Sequence, residues 1–430
     1  MKVLMYGWEF PPHISGGLGV ACHAMVTELS KKNVAITLIL PLAVKAHTHT
    51  GNVSIVGCST APALEGTNVT IKRAPLTTWL SPYLSARDYE KLVAAPAHID
   101  LLRLQQLDFF KHLDLERTIN LTGKYGTNLF AEVLYYAAIA GKLAATTEHD
   151  VIHAHDWLTI LAGIEARKYS HKPLIFHIHA LEIDRSGEDN NYNVFAIEKY
   201  GMHQADQIVA VSQFTKNNIV KYYQVPPEKI AIIHNGTYPL HTPLLHRKAE
   251  HHKNVLFVGR LTQQKGPNFF IEAAKKVLAF RQDVKFTIVG TGDLMGGLIE
   301  RVAYLGIGRH VDFAGFLTPE MVAKIYGMAD LYIMPSVSEP FGLTCLEALE
   351  RSVPVIISKQ SGAAEVLQHV LKVDFWDVDE MTNKMLAVLN HPALGRTLVT
   401  NAKKEIKQLT WDKTADALIH LYEKCTLQSI

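Results

Sequence analysis

Along the chain, short runs of apolar and β-branched residues alternate with longer stretches in which apolar positions recur every three or four residues. That alternation predicts strands separated by amphipathic helices, and hence parallel sheets covered by helices on both faces. In the first half, strands are expected at "KVLMY", "VAITLIL", "VIHAH", "PLIFHIH" and "QIVAV". In the second half they are expected at "NVLFVG", "VKFTIVG", "DLYIMP" and "VPVIIS". Between 238 and 253 the stretch "YPLHTPLLHRKAEHHK" carries two prolines, four histidines and clustered charge with no period, which marks an interdomain linker. The division expected is a Rossmann-like α/β domain over 1–240, a second over 253–408 and a terminal helix over 409–430. Two doubly wound domains facing each other leave a cleft at the carboxyl ends of their strands, where ligands of such sheets bind. Residues 85–123 are expected to be helical and are extra to the alternation. Their mixed charges argue against a basic membrane-surface helix.

Composition narrows the classes. The 430 residues exceed one ordinary domain, and 48% hydrophobic with 20% charged residues is the make-up of a globular protein. A net charge of +2, from 43 basic against 41 acidic residues with no Lys/Arg block, gives no footprint for nucleic acid. At the start, "MKVLMYGWEFPPH" is interrupted by Glu9 and by Pro11-Pro12 before a signal-peptide core could form. No run approaches the roughly 18 apolar residues of a membrane span, so no stable membrane association is expected. Cys22, Cys58, Cys345 and Cys425 are far apart and form no C-x-x-C pair, which reads as reduced thiols in a cytoplasmic protein. The N-x-[ST] sequons at Asn52, Asn68, Asn120 and Asn235 are then chance matches.

The candidate chemistry lies in strand-to-helix loops. The turn "HISGGLGVACHAM" has glycines at 16, 17 and 19, which allow close backbone approach to a ligand ahead of a helix start that favours an anion. Its match to G-x-G-x-x-G is incomplete, which counts against a nicotinamide cofactor. In "VLFVGRLTQQKGPNFF", Arg260 and Lys265 precede Gly266 and Pro267 at the expected first helical position. Two cations beside a helix N-terminus suit a diphosphate, although a solvated basic loop would look the same. In "SEPFGLTCLEALERS", Glu339 lies in the loop before Gly342, while helical spacing from Leu343 and Leu346 puts Glu347 on or beside the core-facing stripe. A carboxylate there needs a partner, and ribose hydroxyls could supply one. His153 and His155 share one side of their strand and His177 and His179 share one side of theirs, near Asp156, Glu182, Asp184 and Arg185. Histidines with carboxylates can hold zinc, but there is no helical H-E-x-x-H and no nearby cysteine, so no metal site is expected.

Together, "EFPPHISGGLG", "HAHDW", "HIHALEIDRSG", "VSQFTKNNI", "IHNG", "VGRLTQQKG", "SEPFGLTCLEALERSVPVIIS" and "WDKTADALIHLYEKC" resemble the retaining glycosyltransferases of family 4, with the two-domain GT-B fold and near relatives among the glycogen and starch synthases. The resemblance spans nearly the whole chain, and E-x7-E joined with R-x4-K is its most specific part. It implies that Glu347 holds the ribose and Glu339 the hydroxyls of the donor sugar. It implies that Arg260 and Lys265 take the diphosphate, with amides around Gly342, Leu343 and Thr344, and that Gly17 approaches from the other domain. His179 would lie against the donor sugar near the reacting carbon, Asp156 would shape the acceptor side, and the terminal helix would cross back onto the first domain. The donor implied is a nucleoside-diphosphate sugar, UDP- or ADP-glucose, used without metal or cofactor, and the acceptor implied is a carbohydrate such as an α-glucan. Ile14 stands where bacterial glycogen synthases carry a lysine two positions before the glycine pair, which turns the resemblance away from that narrower group and from ADP-glucose. "HALEIDRSG" is closer to members described as glycogen-synthase-like. Other acceptors, a sugar-nucleotide epimerase or hydrolase on the same fold, and a non-catalytic nucleotide-sugar-binding protein are the rival readings.

Overall fold

The computed structural model describes residues 1–12, 16–42, 52–58, 121, 125, 129–187, 191–238 and 252–427. The helical segment expected at 85–123 lies outside these residues apart from Leu121, as does nearly all of the linker expected at 238–253. Strands β1 (Lys2–Tyr6), β2 (Ala35–Leu40), β3 (Val53–Gly57), β4 (Val151–His155), β5 (Leu174–Ile178), β6 (Gln207–Ala210) and β7 (Ile230–Ile232) form one sheet in the order β3-β2-β1-β4-β5-β6-β7. Strands β8 (Lys253–Val258), β9 (Val284–Val289), β10 (Val311–Gly315), β11 (Leu331–Met334), β12 (Val355–Ser358) and β13 (Leu371–Val373) form a second in the order β10-β9-β8-β11-β12-β13. Both sheets are parallel throughout, so the chain has a two-domain Rossmann-like α/β fold.

The helices of the first half are α1 (Gly17–Lys31), α2 (Leu129–Leu143), α3 (Trp157–Ser170), α4 (Glu182–Ser186), α5 (Tyr192–Gln204) and α6 (Gln213–Asn218). Those of the second are α7 (Pro267–Phe280), α8 (Met295–Tyr304), α9 (Pro319–Met328), α10 (Leu343–Glu350), α11 (Ala363–Val366), α12 (Val378–Asn390) and α13 (Pro392–Ile406), followed by α14 (Trp411–Leu427). Helix α7 shows how sequence sets an element: Pro267 at its first position supplies a helical φ where no N–H is needed, and Phe270, Ala274, Val277 and Leu278 form the buried stripe.

Every residue of β4 and β5 is buried, as parallel strands covered on both faces require. The strands that periodicity did not mark, β3, β7, β10 and β13, are the four sheet edges, and their burial is interrupted. Helix α14 packs on the first half: Leu418, Tyr422 and Cys425 join Met25 and Leu29 of α1 in one buried cluster, and Lys32 Nζ lies 2.8 Å from Asp412 Oδ1 and 2.7 Å from Asp416 Oδ1.

The two halves touch through polar groups. Ser212 Oγ donates to the Pro340 carbonyl (2.6 Å), Ser338 Oγ donates to Asp184 Oδ1 (2.6 Å), and the Gln213 amide donates to Glu365 Oε1 (2.8 Å).

Candidate active site

A cavity of about 720 Å³ lies between the two sheets. Strand order reverses between β1 and β4 in one sheet and between β8 and β11 in the other, and loops leaving these four strands line the cavity. Such switch points are where open parallel sheets receive ligands, because neighbouring loops there turn to opposite faces.

On the six-stranded side, Arg260 follows β8, and Lys265 ends a short 3-10 turn over Gln263–Lys265. Lys265 Nζ lies 2.6 Å from Glu339 Oε2, and Ser336 Oγ donates to the same oxygen at 3.3 Å. Lys265 is therefore held by a carboxylate and does not stand as an isolated cation in a basic loop. Glu339 is buried, and its backbone is pinned by its N–H to the Gln360 carbonyl (2.9 Å) and its carbonyl to the Gly362 N–H (2.9 Å). The Val337 amide donates to the Gln264 carbonyl at 2.9 Å, which ties the β8 and β11 loops together. Gly266, at φ +67°, is where the chain turns from Lys265 into α7, and a Cβ there would lie 2.1 Å from the Pro335 carbonyl oxygen.

Gly342, at φ +107°, opens α10. This helix start has no side-chain cap and no acidic residue in its first turn, so its amides are available to an anion. Leu343 and Thr344 line the cavity, and the Tyr332 hydroxyl donates to Thr344 Oγ1 at 2.8 Å. Glu347 is not among the lining residues. Desolvation raises its pKa, while the Arg351 charge and the neighbouring Tyr326 hydroxyl, which donates to the Thr344 carbonyl at 3.1 Å, act the other way. The partner needed by a carboxylate near the core is thus present within the protein.

On the seven-stranded side, among the described residues, a Cβ on Gly16 would meet nothing within 4 Å, and one on Gly17 would meet only Leu343 Cδ1, 3.9 Å away across the cleft. Packing against the described residues does not demand glycine at either place, and small residues at a helix start suit close approach of a ligand. Asp156 adopts φ +55°, an unfavourable conformation for a side chain with a Cβ. It is held there as its Oδ1 accepts from the His179 amide at 2.7 Å and its own N–H donates to the His177 carbonyl at 2.9 Å.

His153, His155, His177 and His179 form a block of four imidazoles between β4 and β5, of which only His179 lines the cavity. Desolvation lowers the pKa of each: His153 falls to about 3, and His155 and His177 lie well below the ordinary value. Neighbouring imidazoles reinforce the shift in the first three, while Asp156 opposes it at His179. Ring nitrogens of His153, His155 and His177 fall within 4.8 Å of one another, close enough to consider a metal ion. Those of His153 and His177 already hydrogen-bond each other at 3.2 Å, which is the arrangement of an imidazole pair.

The cavity thus brings together Gly17, Asp156, His179, Arg260, Lys265, Glu339, Gly342, Leu343 and Thr344, and leaves Glu347 behind them. Sequence reasoning did not find Ser336, or the role of Arg185 as a cavity residue paired with Glu182 (3.2 Å) and Glu198 (3.3 Å). Burial raises the Glu198 pKa to about 8 despite that arginine. The run "EIDRS" after a histidine-bearing strand was the available signal, but Glu198 lies on the next helix, beyond the reach of local spacing.

Comparison with known proteins agrees with this architecture. Residues 76–239 match the model for Glycosyltransferase Family 4, and residues 245–405 match that for glycosyl transferases group 1. The chain is 27% identical to an uncharacterised glycosyltransferase of Methanocaldococcus jannaschii over 98% of both proteins. It is 24% identical to the glycogen synthase of Mycobacterium tuberculosis over 98% of this chain and 94% of that protein. The fold is shared with Anabaena HepE, solved in complex with UDP and glucose, at a TM-score of 0.64 and 16% identity over 98% of this chain and 99% of that one.

Proposed function

The chain belongs to the family 4 glycosyltransferases of GT-B fold, and from that premise we infer that it is a retaining enzyme moving a hexose, with glucose favoured, from a nucleoside-diphosphate sugar to an acceptor hydroxyl, with an α-glucan the favoured acceptor. The observation that carries this reading is the meeting, in one cavity, of Arg260, Lys265 and the uncapped start of α10 with Glu339 at 2.6 Å from Lys265. The first three suit a diphosphate; the fourth suits the hydroxyls of whatever the diphosphate carries. The UDP and glucose bound by Anabaena HepE and the glycogen synthase relative support the donor and acceptor classes.

The chemistry follows from charge. Breaking the bond between the anomeric carbon and phosphate leaves positive charge on the sugar and additional negative charge on the departing diphosphate. Arg260, Lys265 and the amides of Gly342, Leu343 and Thr344 stabilise the diphosphate through preorganised electrostatics. Among the described residues four carboxylates line the cavity, Glu9, Asp156, Asp293 and Glu339. Glu9, Asp156 and Glu339 already accept from backbone amides or Lys265, and it is the family resemblance, not elimination, that favours a single-step route over double displacement. Attack from the front face, with the departing phosphate oxygen taking the acceptor's proton, then gives retention. Glu347, behind Thr344, reaches the ribose if its carboxyl turns from Tyr326. Closure of the two halves expels water and limits hydrolysis.

The test is nucleoside diphosphate release from UDP-glucose and ADP-glucose, each with and without maltooligosaccharide and with and without EDTA. Acceptor-dependent release that persists in EDTA is expected, with an α-linked product by NMR. A β-linked product, or loss in EDTA that magnesium restores, contradicts the mechanism; release from donor alone points to a hydrolase or epimerase.

A further inference from the structure

Two hydrogen-bonded imidazole pairs lie one upon the other beneath the cleft. In the first, the Tyr422 hydroxyl of α14 lies 2.6 Å from His153 Nδ1, and His153 Nε2 lies 3.2 Å from His177 Nδ1 in rings coplanar within 1°. In the second, His155 Nδ1 lies 3.0 Å from His179 Nε2. His153 stacks on His155, and His177 on His179, each at 4.3 Å between ring centroids. Register imposes the arrangement: His155 and His177 are partners across β4 and β5, and side chains two apart on a strand share a face.

A neutral imidazole has one N–H and one lone pair, so each of these hydrogen bonds fixes which nitrogen carries the proton. Among the described residues the Tyr422 hydroxyl has His153 as its one hydrogen-bond partner, and accepting there would leave its buried O–H without an acceptor, so we assign it as donor to Nδ1, with His153 then donating from Nε2 to His177 Nδ1. His177 is left with its proton on Nε2, which is buried without a partner. His155 Nε2 is also buried without a partner, in a ring 5.3 Å from His177. A second unpartnered N–H beside the first would bring two positive dipole ends together in a medium of low dielectric, where unpaired polar groups cost most. The complementary arrangement is a bare Nε2 on His155 and its proton on Nδ1.

Resting on the reading of His179 as a cleft group against the donor, we propose that His155 is a positioning residue that donates its Nδ1–H to His179 Nε2 and so holds the cleft imidazole in one orientation with its own proton on Nδ1. That Nδ1 has no hydrogen-bond partner among the described residues, and His179 lines the cavity. The cleft histidine therefore meets substrate as a hydrogen-bond donor to a sugar hydroxyl or phosphate oxygen and does not act as a base. The Tyr422–His153–His177 pair supports it as a flat platform.

The proposal is tested first without substrate, by long-range proton–nitrogen NMR on histidine-labelled protein. His179 is expected in the Nδ1–H form, and His155→Phe, which keeps a ring on His153 but removes the donor, is expected to yield a mixture of both forms. A wild-type His179 protonated on Nε2, or a tautomer unchanged by His155→Phe, overturns it. Added zinc that shifts the His153, His155 and His177 resonances together would make the block a metal site and also overturn it.

Kinetics supply the second readout. His155→Phe should lower kcat roughly 10- to 100-fold with little change in the donor KM, because misorientation affects the transition state more than donor binding. His155→Asn returns an amide N–H near the Nδ1 position while giving up the stack, and should recover most of the loss. An Asn variant no better than Phe overturns positioning while leaving the glycosyltransferase reading intact. If no donor is turned over at all, that reading fails and the tautomer still decides the proposal.

Discussion

On the six-stranded side of the cleft, the groups proposed to bind the donor are charged and held by loops: Lys265 sits 2.6 Å from Glu339, and the backbone around both is pinned by amide hydrogen bonds. On the seven-stranded side, Asp156 and Arg185 stand beside a block of imidazoles whose pKa values burial lowers and whose places strand register fixes. A diphosphate requires charge, and loops at helix starts can present charge to a ligand while keeping it partly solvated. A group meant only to orient a neutral hydroxyl needs direction more than charge, and the interior of a parallel sheet supplies direction. The comparison predicts that removing a charge on the first side will damage chemistry directly, whereas disturbing the second side will lower turnover through misorientation and will also show in stability and in pH dependence.

The largest effect should follow Glu339→Ala. It removes the proposed hydroxyl contact and leaves Lys265 without its partner, so turnover measured as nucleoside diphosphate release should fall at least about 100-fold. A wild-type rate would mean that the donor sugar lies elsewhere. Next comes Gly266→Ala, whose Cβ would meet the Pro335 carbonyl at 2.1 Å in a backbone at φ +67°. A loss of about 2–4 kcal/mol in urea unfolding is expected. Gly16→Ala sharpens the point, since no described residue lies within 4 Å of its Cβ position. Stability should stay within about 0.5 kcal/mol of wild type while the donor KM rises. Equal destabilisation by the two changes would show that Gly16 too serves the fold.

How much of this was legible in sequence depended on burial and range. The central strands stood out because "VIHAH" and "LIFHI" are buried throughout, whereas "VSIVG", "IAI", "VDFAG" and "LKV" are edge strands whose partial exposure breaks the apolar run. Side-chain alternation put His153 with His155 and His177 with His179, but only the pairing of β4 with β5 brings the two couples together. The contact between Lys265 and Glu339 spans 74 positions and that between Asp184 and Ser338 spans 154, so no local pattern encodes either. Glu347 was read from helical spacing as a carboxylate in need of a partner; what spacing could not show is that Arg351 and the Tyr326 hydroxyl lie close enough to favour its charged form.

Acidification should separate the two sides next. A histidine whose folded pKa is depressed binds fewer protons folded than unfolded, so stability rises with pH across the window between the two values. For His153 that window runs from about 3 up to the ordinary 6.5, and His155 and His177 share its direction. The stability they contribute is present above about pH 6.5 and is lost as the pH falls. Between pH 7 and pH 6 the three groups together should cost on the order of 2 kcal/mol. Calorimetry should therefore show Tm falling by several degrees over that interval. A flat Tm would mean that these imidazoles are already protonated or solvated in the folded protein.

The smallest effect tests how the chain end is fastened to the first sheet. The Tyr422 hydroxyl of α14 lies 2.6 Å from His153 Nδ1 within the interior, while Lys32 holds the exposed Asp412 and Asp416 of the same helix from outside. The two attachments look alike in distance and differ in medium. Exposed ion pairs exchange one hydrated state for another and contribute little, so Lys32→Ala should cost well under 1 kcal/mol. Tyr422→Phe keeps the buried ring but leaves a histidine nitrogen unpaired in the interior, for which about 1 kcal/mol is expected. Urea unfolding of the two variants should rank Tyr422→Phe below Lys32→Ala, with the gap narrowing as the pH falls and His153 begins to lose its neutral state. The reverse ranking would place the fastening of α14 on the surface, and the imidazole block would then be a consequence of that packing with no part in securing it.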